Sequence, residues 1–461
     1  MMPGSAPSAG ELSVEMKTIR LKKGHTPNIV GAPSSEVGSL GAPETVAAAP
    51  ARIPFVKPKL AVAPGERVKI GSVLYWDKRN PEIVFCSPGG GTVRDVIYGP
   101  RRVIEEIVID CDRKEAYETF PVLDEEALGA VERSKLVSMI RNGGLWPLIR
   151  ELPVRDIASP DRVPPAIIVS LDNLEPFHPD PAVYLDGRTD LLRFGLAVLH
   201  RLAGDGPVIV AARPPTARWF ADIVTHRVEG SYPADDPGVV LYRLKDSPDQ
   251  NSAWYVAGQD VLLIAQLFQN GRYPTERTVV AGGPSASERR HFTARLGIPL
   301  SMLADATEGA WDVRFIVGGL FTGTTGSPDA HLGLYETALT LLPEGNTTEF
   351  LALFRPGLAK PSYSRVFLSR LNPGDLVYDC NRRGGVRACI ACMHCADVCP
   401  VDILPQMTYK AVLAEEVEES LAHGLLDCVE CGLCSYVCPA KIELTQVLKE
   451  AKAAYAKEKA G

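Results

Sequence analysis

Hydrophobic and polar positions change their period several times along this chain, and each change predicts a different kind of element. From Ala51 to about Asp110, apolar runs of four to seven residues are cut by Pro64-Gly65, by Lys78 to Pro81 and by Ser87 to Gly91. Short runs bounded by such turn signals predict the strands of a compact β-module. From about Glu125 to Tyr255 the period alternates. EEALGAVERSKLVSMIRNGG predicts a helix, AIIVSL (Ala166 to Leu171) a buried strand, Thr189 to Ala203 a second helix and PVIVAA (Pro207 to Ala212) a second strand. Strands alternating with helices predict a parallel sheet. Further on, RTVVAGGP (Arg277 to Pro284), LGIP (Leu296 to Pro299) and FIVGGLFTGTTG (Phe315 to Gly326) predict a small β-grasp module. MTYKAVLAEEVEESLAHGLL (Met407 to Leu426) has apolar residues near helical spacing, with the glutamates of 415–419 on a solvated face, and a last helix is expected from Leu444 to Lys457.

The fold class this predicts is multidomain, α/β and α+β. An N-terminal arm (1–50) precedes a barrel-sandwich β-domain (51–112), a nucleotide-fold-like α/β domain (113–255) and the β-grasp module (256–345). A loop-rich connector (346–388), carrying Arg382, Arg383 and Arg387, leads to a helical C-terminal domain (389–461). Residues 1 to about 16 are expected to be disordered, and Thr18 to Pro33 to form a short strand entering a Gly/Pro-rich arm that lies over other domains. At 461 residues, with 46% apolar and 23% charged residues, the chain has material for several cores. A net charge of −7 with no basic stripe excludes nucleic acid as a partner. Apolar runs such as Val261 to Ala265 fall well short of the roughly 18 residues a membrane span needs. MMPGSAPSAGELSVEM has neither the basic nor the apolar region of a signal peptide.

The chemistry lies in the last seventy or so residues, where one pattern occurs twice. Cys389, Cys392, Cys395 and Cys399 read C-x2-C-x2-C-x3-C before Pro400. Cys428, Cys431, Cys434 and Cys438 repeat it before Pro439, 39 residues later at every position (389 to 428, 399 to 438). This is the run of bacterial two-cluster ferredoxins, in which the fourth cysteine of each motif serves the other cluster. It assigns one [4Fe–4S] cluster to Cys389, Cys392, Cys395 and Cys438, and the other to Cys428, Cys431, Cys434 and Cys399. A tight loop wraps three irons of a cube, and the following proline, with its fixed φ and missing N–H, turns the chain away. All-cysteine zinc sites share the C-x2-C pairs and are the sharpest rival, with disulfides behind them. Two zinc knuckles, however, leave the third close cysteine without a role. Of eleven cysteines, the three outside the motifs (Cys86, Cys111, Cys380) are too few for a disulfide framework, which points to a reducing compartment.

Other features take plainer readings. The form G-E-x-V-x-x-G followed by S-P-x-x-G-x-V resembles biotinyl and lipoyl carrier domains, with Lys78 near the place of the modified lysine. No Met flanks it, and Asn80-Pro81 disturbs the turn, so a docked structural β-module is expected instead. Asn142-Gly143-Gly144 is not a full G-x-G-x-x-G, and Gly318 to Gly326, without a P-loop lysine, reads as a turn between strands rather than a phosphate nest. Cys86 and Cys111 read as core residues, Cys380 as a thiol outside the ligand set, and His25 and His394 as surface or loop residues. No Ser/His/Asp triad, carboxylate pair or H-E-x-x-H is present.

The order of modules is similar to that of the A-subunit family of Na+-translocating NADH:quinone oxidoreductases. The best local carriers are KKG-x6-GAP (Lys22 to Pro33), DKRNP (Asp77 to Pro81), SPGGGTV (Ser87 to Val93), GLWPLIRELP (Gly144 to Pro153), RTVVAGGP (Arg277 to Pro284) and LLPEGNTTEFLALFRPG (Leu341 to Gly357). The resemblance implies a peripheral electron-transfer component on the cytoplasmic side of the cell membrane. Its partners would be the membrane and flavoprotein subunits of a respiratory redox pump, with quinone as a possible substrate and sodium export as the coupled work. Familiar members lack the cysteine octet, whereas the C-subunit of the related Rnf complex carries two such clusters. That protein also resembles the flavin-binding component of complex I, whose loop runs G-R-G-G-A-G-F-P. Here the place reads Arg141-Asn142-Gly143-Gly144-Leu145-Trp146-Pro147, and bulky side chains replace the small ones a flavin phosphate requires. No flavin is therefore expected in this chain. Two other readings stay open: an Rnf-type C-subunit exchanging electrons between NADH or ferredoxin and membrane subunits, and a structural adaptor that passes no electrons.

Overall fold

The computed structural model describes residues 16–304, 312–346, 354, 356–364 and 367–460; the expected N-terminal disorder lies outside them, apart from residue 16. A seven-stranded sheet forms the centre. Its order is Lys17–Arg20, His226–Glu229, Val208–Ala212, Ile167–Ser170, Ala253–Ala257, Arg150–Leu152 and Asp156–Ile157. The first five strands run parallel and the last two turn antiparallel. Parallel strands are apolar on both sides because both faces are covered, and here the two covers differ. Ile167, Val169, Val210, Trp254 and Val256 face the core shared with the helices Thr189–Ala203 and Gly258–Asn270 and with the β-module. Ile168, Ala211, Tyr255 and Val228 face the other way, onto the helix Pro237–Leu244 and the cysteine-rich lobe. That lobe is thus packed as the second cover of the central sheet.

The β-module consists of a four-stranded sheet (Thr45–Ala48, Ile104–Cys111, Gly91–Tyr98, Arg67–Val68) facing a three-stranded one (Pro58–Leu60, Val73–Asp77, Asn80–Cys86). Thr45–Ala48 pairs with Ile104–Cys111, so the module starts before Ala51. Its core is continuous with the α/β unit. Gly144, at φ +68°, lies against Cys86, where a Cβ would come within 2.4 Å of the sulfur. Leu145, Trp146 and Leu148 are fully buried, and the Trp146 indole N–H donates to the Ala158 carbonyl at 2.8 Å. The segment aligned with a flavin loop is packed as core.

A third, six-stranded sheet has the order Thr324–Gly326, Val313–Val317, Ala338–Pro343, Glu276–Gly282, Arg290–Arg295 and Ser34–Ser39. The central pair is parallel and is flanked by antiparallel pairs. The N-terminal arm supplies the edge strands Lys17–Arg20 and Ser34–Ser39 to two different sheets. Between them Gly31 (φ +110°) comes so close to Gly283 that a Cβ would lie 2.2 Å from its carbonyl carbon. This accounts physically for the glycines of GAP and GGP.

Three expectations need correction. The helix over 125–142 is two helices, Glu125–Ala130 and Arg133–Asn142, because Val131 and Glu132 are extended and Val131 turns into the core. The helix Gly258–Asn270 packs on Thr189–Ala203, so the α/β unit runs past Tyr255. The helix between the cysteine motifs breaks into Pro405–Leu413 and Val417–Ala422. Glu415 adopts φ +59°, and the N–H of Glu416 and of Glu415 donate to the carbonyls of Ala411 and Val412. This pair of bonds is a Schellman stop, built on glutamate where glycine is usual.

Candidate metal centre

The 39-residue sequence repeat is also a repeat of backbone conformation. Ala391 and Glu430, Met393 and Gly432, and Asp402 and Lys441 all have positive φ, in pairs 39 residues apart. Each motif curls through these left-handed turns into a short helix, His394–Val398 or Leu433–Tyr436, and then into the longer helices Pro405–Leu413 and Leu444–Ala460. The curl aims three cysteines inward, and the two halves complete each other. One cavity is lined by Cys389, Cys392, Cys395 and Cys438. The second is lined by Cys428, Cys431, Cys434 and Cys399. We call them the outer and the inner cavity. All eleven cysteines are free thiols. Among the described residues no three His, Cys, Asp or Glu side chains close tightly enough around one point to hold a single ion.

The rest of each lining is mostly apolar, with Leu433, Leu448, Val401 and Ile403 around the inner cavity and Ile442, Leu444 and Ala440 around the outer. Burial pushes the Cys399 and Cys434 thiols up to about 12, and holds Cys431 well above the usual thiol range. Such thiols ionise only beside a compensating cation, which is the chemistry of a cage for a metal cluster rather than of a reactive cysteine. Equivalent side chains reach the third cysteine of each motif. The Cys395 thiol donates to Gln406 Oε1 at 3.2 Å. Thr445, 39 residues after Gln406, places its Oγ1 3.2 Å from Cys434 Sγ, and the Ser435 hydroxyl donates to that Oγ1 at 3.0 Å. Either group can donate in the Thr445–Cys434 contact, and against a Cys434 thiolate the hydroxyl would be the donor.

The inner half is tied to the α/β unit by polar anchors. Tyr232 Oη donates to the Cys431 carbonyl at 2.8 Å. The Arg155 guanidinium bonds both Asp236 carboxylate oxygens at 2.8 Å and the Val429 carbonyl at 2.9 Å. Lys452, 1% exposed, donates to the Cys428 carbonyl at 2.7 Å and pairs with Glu430 at 2.6 Å. The arm reaches the same lobe, since Lys23 Nζ donates to the Ala396 carbonyl and pairs with Asp402. Sequence reading missed Gln406, Thr445, Lys452, Arg155 and Tyr232. The 39-residue offset applied to Gln406 and Thr445 was a usable signal; the others carry none.

The remaining sequence candidates fall elsewhere. Lys78 is exposed at a hairpin tip, whose neighbour Arg79 bonds Asp77 and Asp156 and so docks the module on the α/β unit. Cys86 is core and Cys111 packs against that core. Cys380 packs with Ile29, Phe177 and Leu342, away from both cavities. His25 stacks on Tyr436 and His394 meets Tyr363 edge-on; neither lines a cysteine cavity. Arg387 and Arg382 donate to the Pro439 and Lys441 carbonyls, while Arg383 pairs with Asp379. At the Gly318–Gly326 turn, the amides of Phe321 and Thr322 are taken by the Glu175 carboxylate at 2.5 and 2.8 Å. No described helix is long and apolar enough to cross a membrane.

Comparison with known proteins agrees with this architecture. Residues 19–112 match the NqrA N-terminal barrel-sandwich hybrid domain, 131–273 the NqrA second alpha/beta domain, and 388–442 a 4Fe-4S dicluster domain. The A-subunit of the Na(+)-translocating NADH-quinone reductase of Pseudomonas aeruginosa is 31% identical over 411 residues, covering 89% of this chain and 92% of that protein. Those of Hahella chejuensis and Saccharophagus degradans are 31% and 30% identical, with the same coverage. Among solved structures, an NAD+-reducing [NiFe]-hydrogenase aligns with 70% of this chain and 61% of its own at 12% identity and a TM-score of 0.33, too little to carry an argument. With two of its domains matched in order and its relatives aligned almost end to end, the chain belongs to the NqrA family, the A-subunits of the Na(+)-translocating NADH-quinone reductase, in a form that carries a C-terminal 4Fe-4S ferredoxin domain.

Proposed function

We propose that this chain is a peripheral electron-transfer subunit of a membrane-bound NADH-quinone reductase, relaying single electrons through two [4Fe–4S] clusters. Cys389, Cys392, Cys395 and Cys438 would hold one, and Cys428, Cys431, Cys434 and Cys399 the other. The observation that carries the reading is the crossed lining: each cavity takes three cysteines from one motif and the fourth from the other. When bound, such clusters supply one-electron chemistry at potentials set by burial and by hydrogen bonds to sulfur. The residues of the chain do the rest. The left-handed turns aim the thiols, the apolar walls exclude water, and the Thr445 hydroxyl would donate to the Cys434 thiolate. Partner flavoprotein and membrane subunits on the cytoplasmic side would feed and drain the relay, with quinone as terminal acceptor. We read the six-stranded sheet as a β-grasp module that helps to frame the lobe.

Anaerobically purified chain should carry about eight irons, four per cluster, and show two interacting clusters by EPR after dithionite reduction. About two zinc ions per chain and no signal overturns the reading. Iron that no reductant reaches would make the chain a structural adaptor instead.

A further inference from the structure

A cavity of about 630 Å³ opens at the carboxyl ends of the parallel strands Ile167–Ser170 and Ala253–Ala257, with walls from the β-module, the α/β unit, the third sheet and the cysteine lobe. This is a size suited to a small-molecule ligand rather than a bare ion, and the crevice beyond the carboxyl ends of parallel strands is where open α/β sheets bind ligands. Three independent features define what it would take. The Arg150 guanidinium is clamped between the rings of Tyr255 and Tyr335, 4.5 and 4.4 Å from their centroids, and its Nε is buried with no hydrogen-bond partner among the described residues. The Tyr255 hydroxyl, on a residue 3% exposed, is likewise buried without a partner among the described residues, as is one oxygen of Asp235. The 13-residue helix Gly258–Asn270 begins in this wall, and Ala257, its cap, offers no side-chain bond to the first amides.

The charges in the wall are unevenly answered. Asp236 is bonded by Arg155, Glu430 by Lys452, Asp260 by Arg277, and Glu175 by two amides. Glu336 faces Arg52 at 3.9 Å. Asp172 accepts from the Arg213 amide and the Thr216 hydroxyl. Burial pushes the Asp235 carboxyl up to about 8, so that near neutral pH it is largely protonated. The cations without an ion pair among the described residues are Arg150, inside, and Lys449 and Lys457, exposed at the mouth. Arg150 makes no hydrogen-bonded ion pair among those residues, although the buried Asp260 carboxylate in the first turn of this helix, bonded to Arg277, also feels its charge. A guanidinium fork with a helix N-terminus suits a phosphate.

We propose that this cavity binds a phosphate-bearing nucleotide, its phosphate held by Arg150 and the start of the helix Gly258–Asn270, with Lys449 and Lys457 guarding the entrance. The site lies apart from the Gly143-Gly144 segment, which is packed as core. It goes beyond the relay reading and rests on residues other than the cysteines, so the fate of the clusters does not decide it. It does adjoin the relay, because Val429 and Glu430 wall both this cavity and the inner cysteine cavity.

The test is calorimetric titration of the full, metal-loaded chain with ADP, AMP, adenosine and inorganic phosphate. ADP or AMP should bind, and adenosine at least about tenfold more weakly, since it lacks the charge-assisted bonds. Arg150→Gln should weaken nucleotide binding by at least about tenfold, the loss of a charged fork. Should Arg150→Gln fail to fold, the exposed pair Lys449→Gln/Lys457→Gln still decides, by weakening ADP binding and flattening its salt dependence. Adenosine binding as tightly as ADP, no saturation by either nucleotide at millimolar concentration, or undiminished binding in both variants each overturns the proposal.

Discussion

The outer and inner cysteine cavities are built from one repeated sequence, yet they sit in opposite surroundings. Ile390 in the outer loop is 69% exposed, while Val429, its equivalent 39 residues on, is 6% exposed and packs against Gly238 at the start of the helix Pro237–Leu244. Met393 lies open to solvent, whereas its equivalent, Gly432, has no room for a side chain, since a Cβ would lie 2.6 Å from the Phe321 carbonyl oxygen. Cys392 is exposed and Cys431 is buried. Local spacing shapes a loop around a cluster. What that loop touches is decided by the rest of the molecule. The outer half is therefore the more open one, and the inner half is the one anchored in the α/β unit.

The largest effect would come from breaking the crossed lining. Cys438→Ser should remove about four of the eight irons and leave the EPR spectrum also left by Cys389→Ser. Cys434→Ser should leave a different one, shared with Cys399→Ser. If Cys438→Ser instead matched Cys434→Ser, each motif would serve its own cluster. The next effect bears on the anchoring. Arg155→Ala removes one partner of a largely buried ion pair and should cost about 3 kcal/mol in urea unfolding. It should also speed chelator stripping of the inner cluster while leaving the outer rate alone.

Asp235, in the α/β wall near the inner half, predicts a pH effect. Its carboxyl is raised from 3.8 to about 8, so the folded chain holds a proton that the unfolded chain has released. Its contribution to stability is full below about pH 4 and is lost as pH rises towards and through 8. Asp235→Asn should flatten that decline in melting temperature. The smallest effect is on potential. Thr445→Val deletes a donor to Cys434 worth about 1 kcal/mol, which should lower the inner potential by about 40 mV for a one-electron couple. The outer potential should stay put, and a shift of both would mean that the two halves are not electronically separable in this way.

Much of the fold was legible because period and turn chemistry are local. The helix Thr189–Ala203 and the strands Ile167–Ser170 and Val208–Ala212 lie where their apolar runs place them. Breaks were less visible. Val131 and Glu415 stop helices through a core contact and a Schellman turn, and neither carries the glycine or proline that usually marks an end. The thiols were legible one by one from their spacing. Lys452 was not: a lysine in the pattern LKEAKAAYAKEK reads as solvated, and only the Cys428 carbonyl and Glu430 packed above it make it a buried anchor.

By itself, then, the sequence determined what depends on neighbours within a few residues: the alternating α/β pattern, the turns of the β-module and the two thiol loops with their 39-residue period. Tertiary structure decided what depends on distant residues meeting. It made the cysteine lobe the second cover of the central sheet, buried one repeat and exposed the other, and brought Arg150, Tyr255, Tyr335 and Lys449 to one cavity. Those four are scattered over about three hundred positions, and no short-range rule relates them. Only the packing of strand ends against the lobe brings that charge and hydroxyl into one space, with Arg150 and Tyr255 inside and Lys449 exposed at the mouth, because each comes from an element that reaches the cavity through distant contacts.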